Sequence, residues 1–193
     1  MAADVSLMHS LPAMWDIVTA YCIAIGTLIR QVDAPDVDRA KQAVQALRDY
    51  SQKEGKSGMI AEWLEVAESL SVTNTRQLHA HQNDLFGNET YNVETHMGFV
   101  KHAFVLAIYC LMRAQDKPIG EIYDWAIAQC VKLQGDTDTN AAIVGGLIGA
   151  YVGISRIDTE KLRKVLECTN EKARRRINPE RRTFLMPGHG CID

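Results

Sequence analysis

The cysteines of this sequence lack any pairing pattern. There are five, Cys22, Cys110, Cys130, Cys168 and Cys191, odd in number, far apart and without a Cys-x-x-Cys. That excludes a disulfide scaffold and a thiolate zinc site. It reads as reduced thiols in an intracellular, cytoplasm-like compartment, each serving as a small buried apolar residue. A strong charge of one sign is lacking too. The net charge is −3, so no basic field points to nucleic acid or to a membrane surface. The start, Met1-Ala2-Ala3-Asp4, has no basic stretch leading into an apolar run, so no signal peptide is expected. The apolar runs around residues 104–112 and 141–154 are too short or too glycine-rich for a membrane span. No internal repeat or low-complexity segment stands out.

What is present is a globular composition. In 193 residues, 47% are apolar and 23% charged, enough for one domain with a sizeable core. The domain is expected over residues 1–173. A basic, turn-rich tail follows at 174–193, beginning with Arg174, Arg175 and Arg176 and read as a solvated charge run.

Apolar spacing predicts an all-α chain. Residues 13–31 place Ile17, Val18, Tyr21, Ile25, Leu28 and Ile29 at helical intervals, with Cys22 and Ala24 filling the face. Asp33-Ala34-Pro35 breaks this helix, and Pro35 suits the opening of the next, over 36–50, with Val37, Ala40, Val44 and Leu47 on one stripe. A third helix over 60–70 turns Trp63, Leu64 and Ala67 inward. Further helices are expected at 95–114, where Lys101 and His102 are read onto a helix face, and at 119–132, 139–153 and 158–169. Asp158 is placed to cap the last of these. Between them, 71–94 is irregular and rich in asparagine, and such segments are often functional. His79 and His81 lie in it without a third ligand nearby, so a solvated loop is the reading there. Tyr91 and His96 flank it and are candidates to stack on a base or line a cleft. Cys191 and His189 have no orienting carboxylate except Asp193.

One stretch carries a specific chemical signal. Gly135-Asp136-Thr137-Asp138-Thr139-Asn140 sets two carboxylates two residues apart, each followed by a hydroxyl. Such oxygen clusters suit hard cations. An EF-hand loop fits Asp136, Asp138 and Asn140 at its first three ligand positions. It then fails, because Ala141 stands where glycine is needed and Leu147 where glutamate is needed. If the backbone turns at Thr137 and enters the helix at Thr139, the oxygens converge; the plain alternative is that Asp138 caps the helix. Small residues follow at steps of three and four: Ala142, Gly145, Gly146, Gly149, Ala150 and Gly153. Each glycine inside a helix costs about 1 kcal/mol relative to alanine, so close helix–helix approach is expected in compensation.

The stretch from Gln134 through Asp136-Thr137-Asp138-Thr139-Asn140 and on through Gly145-Gly146-Leu147-Ile148-Gly149-Ala150 resembles the C-terminal signature of the ADP-ribosylglycohydrolase family. Val5-Ser6-Leu7-Met8-His9-Ser10 resembles that family's threonine-histidine segment, with Met8 in place of the threonine. Gly98-Phe99-Val100-Lys101-His102 resembles the helix before the signature. The resemblance implies an all-α, multi-helix orthogonal bundle, incomplete at its N-terminus. It also implies two Mg²⁺ (Mn²⁺ in some members), held in part by Asp136, Asp138 and Thr139. His9 is implied to lie near ADP-ribose, and the substrate is implied to be ADP-ribose or an ADP-ribosylated protein. The family's Thr-Asp-Asp motif, its catalytic glutamate and its glycine-rich ADP-ribose loop have no counterpart here. The expectation is therefore a chain inactive by itself. It is either one piece of a split or truncated enzyme, or a pseudoenzyme retained as a helical interaction subunit, with a protein partner completing or burying the half-site.

Overall fold

Pro12 opens the first helix, α1 (Pro12–Arg30), at a position where its missing N–H costs nothing. The computed structural model describes residues 11–56, 58–72, 98–133 and 135–167. Among them are seven α-helices and no strand, so the chain is all-α as its periodicity predicts. α1 buries Ile17, Ala20, Ala24 and Leu28 in one stripe. Ile29, expected on the same face, is 59% exposed, because one residue is a rotation of about 100° and carries it past the contact. α1 is also long and apolar enough to cross a membrane by length and composition, unlike the two runs singled out in the sequence. It packs against the second helix and a later one, with 22% of that apolar stretch buried.

α2 (Asp36–Ser51) starts behind Pro35, whose carbonyl accepts the N–H groups of Asp38 and Arg39. It buries Ala40, Ala43, Val44 and Leu47, while Val37, expected inward, lies on the overhanging first turn and is 41% exposed. α3 (Gly58–Val72) buries Ile60, Trp63, Leu64 and Ala67. α4 (Val100–Arg113) is the centre of the bundle: every residue from Lys101 to Leu111 is buried. A helix covered on all sides has no solvent face, so Lys101 and His102, expected on a helix face, are both buried in it. Lys101 instead reaches Glu62 at 3.0 Å and lies over the Trp63 ring, and the His102 ring meets Phe99 edge-on.

Two short 3₁₀ turns, Ala114–Asp116 and Ile119–Glu121, lead into α5 (Ile122–Leu133). The tighter winding at 119–121, expected as α-helix, follows directly on Pro118. α6 (Thr137–Val152) packs on α4, α5 and α1, and a 3₁₀ turn, Ile154–Arg156, closes it. Cys110 and Cys130 are buried and free, as small apolar residues should be. Burial pushes both thiols up, that of Cys130 to about 11, so neither is a nucleophile at neutral pH.

The chain divides into two compact units, Met1–Arg156 and Ile157–Asp193. The first holds α1 to α6. The second holds α7 (Thr159–Glu167), whose first turn is capped as expected: the Asp158 carboxylate accepts the Lys161 N–H at 2.8 Å. The boundary expected at residue 173 lies outside the described residues.

Candidate metal centre

The acidic stretch becomes the entrance to α6. Gly135 adopts φ +69°, a left-handed conformation that glycine takes at little cost. Asp136 follows at φ −76°, ψ 66°, and the Thr137 N–H closes on the Gly135 carbonyl at 2.8 Å. These are the angles and the bond of an inverse γ-turn. The helix begins at once: Asn140 N–H donates to the Asp136 carbonyl at 2.9 Å. The turn thus falls at Asp136 rather than Thr137. Asp136 is the N-cap residue, and Asp138 and Thr139 lie inside the first helical turn.

This placement separates the two acids: Asp136 at the N-cap makes no capping bond, whereas Asp138 interacts with first-turn backbone N–H groups as the capping alternative predicts. Asp138 lies two residues inside, exposed, and its carboxyl is held below its ordinary value. The first cause is a hydrogen bond with the Asp136 carboxyl; the backbone N–H groups of Thr139 and of Asp138 itself add to it. Two carboxyls within hydrogen-bonding reach repel when both are ionised, unless a proton or a cation lies between them. Asp138 and Thr139 are exposed and Asp136 partly so. Asp138, Thr139, Ala142 and Gly146 form a continuous exposed strip of α6.

The donor set is oxygen only, two carboxylates and a hydroxyl, and so fits Mg²⁺ or Mn²⁺ in chemistry. It is small. No group of three or more His, Cys, Asp or Glu side chains converges among the described residues, so most of a six-coordinate shell would come from water or other oxygens. The other sequence candidates, His9 and Tyr91, lie outside the described residues, as do His79, His81, His96 and Cys191.

The glycines of α6 work differently from the expectation. They admit tyrosine side chains rather than a neighbouring backbone. A Cβ at Gly145 would stand 3.2 Å from Tyr123 Oη and 3.3 Å from Ile127 Cδ1, and one at Gly146 would stand 2.8 Å from Tyr21 Oη. Tyr21 donates to the Ile143 carbonyl at 2.6 Å. Sequence reasoning counted Tyr21 among the apolar face of α1 and missed this bond. A hydroxyl on a core-facing helix position is the signal that points to such a partner.

It missed Arg39 as well. Buried in α2, Arg39 donates to the Leu28 carbonyl at 3.1 Å, the Ala150 carbonyl at 3.2 Å and Asp36 at 3.1 Å. It thereby ties together the C-terminal ends of α1 and α6. With Tyr21 joined to Ile143 one end further up, α1 and α6 run side by side in the same direction. Arg156 shares Asp36 at 3.2 Å.

The sequence model of the ADP-ribosylglycohydrolase family matches residues 1–183. The chain belongs to the ADP-ribosylglycohydrolase family. No curated protein and no solved structure matches it in the corresponding comparisons. The family assignment carries an ADP-ribosylglycohydrolase-like function and an ADP-ribosylated substrate as its class. It also accords with the helical architecture on which the acidic turn is mounted.

Proposed function

We propose that Asp136, Asp138 and Thr139 form one part of a divalent-cation site of the ADP-ribosylglycohydrolase kind, with Mg²⁺ the natural ion and Mn²⁺ a substitute. The observation that carries this reading is the pair of acidic side chains set two residues apart on an exposed helix entrance, where the Asp136 side chain makes no capping bond. A bound divalent ion would supply Lewis-acid polarisation of a ribose oxygen and orientation of water. The protein's own contribution is positional. The inverse γ-turn fixes Asp136, the first helical turn fixes Asp138 and Thr139, and the packing of α6 on three helices keeps that entrance from shifting.

The sequence offers no Thr-Asp-Asp and no glycine-rich phosphate loop. This chain alone therefore binds Mg²⁺ or Mn²⁺ weakly and does not turn over ADP-ribosyl substrates. Calorimetry with each metal and an ADP-ribose release assay on the purified chain test this. Weak binding without release is the expected result; tight binding of two ions, or clear release, overturns it. A second reading has its own support. The exposed strip of Asp138, Thr139, Ala142 and Gly146 is a surface of small side chains open to close approach by another protein. On that reading the chain is a helical interaction subunit whose partner completes or covers the half-site. The free thiols of Cys22, Cys110 and Cys130 suit a reducing, cytoplasmic setting for either role.

A further inference from the structure

Tyr21 does more than pack. Its hydroxyl donates to the Ile143 carbonyl at 2.6 Å across a sequence separation of 122 residues. In an α-helix the carbonyl of residue 143 is also the ordinary acceptor for the N–H of residue 147. The tyrosine oxygen is thus inserted against the α6 backbone at the carbonyl end of that rung.

Space for the insertion comes from one missing atom. A Cβ at Gly146 would stand 2.8 Å from Tyr21 Oη, closer than real Cβ atoms come. Ile143 lies one helical turn beyond Thr139, on the path from the acidic entrance into the body of α6. Burial pushes the Tyr21 hydroxyl up to about 12, with the neighbouring Cys22 adding to the rise and the Leu147 N–H opposing it, so it remains a donor at any physiological pH. On the opposite flank Tyr123 lies against Gly145 and Gly149. α6 is thus held between two tyrosines from α1 and α5.

We infer that Tyr21, admitted by Gly146, is a positioning residue for the Asp136–Asp138–Thr139 oxygens: it fixes the register of the first turns of α6 through the Ile143 carbonyl and thereby sets the affinity of the site for a divalent cation. This rests on the metal reading given above for the role, but not for the contact.

Three variants of the full chain test it: Tyr21→Phe, Gly146→Ala and the two combined. Two readouts are needed, Mn²⁺ affinity from water-proton relaxation and amide hydrogen exchange across residues 137–147. Tyr21→Phe keeps the ring and removes only the bonded oxygen. It should weaken Mn²⁺ binding by about tenfold, the size of an outer-shell loss. Exchange at Leu147 and in the turns before it should rise about 3- to 10-fold. Gly146→Ala should weaken binding at least as much. Because Phe lacks the oxygen that the new methyl would meet, the double variant should bind no worse than Tyr21→Phe alone. Unchanged exchange at 137–147 in Tyr21→Phe overturns the contact's role whether or not metal binds. Unchanged Mn²⁺ affinity alongside faster exchange overturns the link to the site. Additive losses in the double variant overturn the pairing of Tyr21 with Gly146. A wild-type chain with no saturable Mn²⁺ binding refutes the metal reading itself and with it the proposed role, leaving the exchange data to decide only the contact.

Discussion

The two ends of α6 are finished in opposite ways. At its C-terminal end, Ala150 and Val152 offer their carbonyls to Arg39 and Arg156, Asp36 pairs with both guanidinium groups, and Gly153 turns the chain away at φ +77°. Cations at a helix C-terminus also meet the favourable end of its dipole. The guanidinium groups of both arginines there meet partners supplied by the protein. At the N-terminal end, the Asp136 side chain makes no capping bond, and Asp138 and Thr139 are exposed beside it. A helix with a buried arginine at one end and an open acidic pair at the other has its strongest tertiary ties at the first and its proposed chemistry at the second.

The comparison breaks most sharply at Arg39. Replacing it with methionine leaves the buried Leu28 and Ala150 carbonyls without their donor and removes one of Asp36's partners. A loss of about 3 kcal/mol is expected from cutting one side out of a buried polar cluster, read as a lower midpoint in urea unfolding. Overfilling the flank of α6 should cost less. Gly145→Val sets two methyls against Tyr123 and Ile127, already 3.2 and 3.3 Å from a single Cβ, for a loss of about 1–3 kcal/mol.

Asp138→Asn is expected to do the reverse of Arg39→Met. The unfolding midpoint should fall only slightly, by what Asp138 adds to the first turn of α6, while Mn²⁺ affinity falls at least tenfold, in line with the loss of a charged ligand. A matching fall in stability would show that Asp138 serves the fold and would erase the contrast between the two ends. The smallest effect is one of pH. The folded-state value of Asp138 is depressed, so its contribution to the first turn of α6 is fully present above the unfolded value of about 4 and is lost as pH falls below it. The protection of amides 138–140 relative to their intrinsic exchange rates should fall as pH drops below about 4, with no such step in Asp138→Asn.

Some of this was legible in the sequence because it is local. The spacing of Ile17, Ala24 and Leu28, the Pro35 break, the capping of α7 by Asp158 and the oxygens at 136–139 each depend on residues within a turn or two of each other. The rest depends on what arrives from far along the chain. Lys101 and His102 look like a polar face until α4 is found with other helices on every side. The glycines of α6 pointed to close packing, but their partners, Tyr21 and Tyr123, come from other helices and use a side-chain ring where a backbone was expected. Arg39 lies in the most polar-looking stretch of α2, and nothing near it in sequence reveals that its acceptors are the ends of α1 and α6. The turn at Asp136 was misplaced by one residue because its γ-turn depends on Gly135 taking a positive φ, which composition alone does not fix.

The claim at the centre is that the open end of α6 holds a divalent cation. It is tested most directly by titrating the full chain with Mn²⁺ and following water-proton relaxation, alongside Asp136→Ala and Asp138→Asn. Saturable binding, displaced by excess Mg²⁺ and weakened at least tenfold in both variants, is the predicted result. Relaxation that does not saturate, or binding that both variants retain in full, would contradict it.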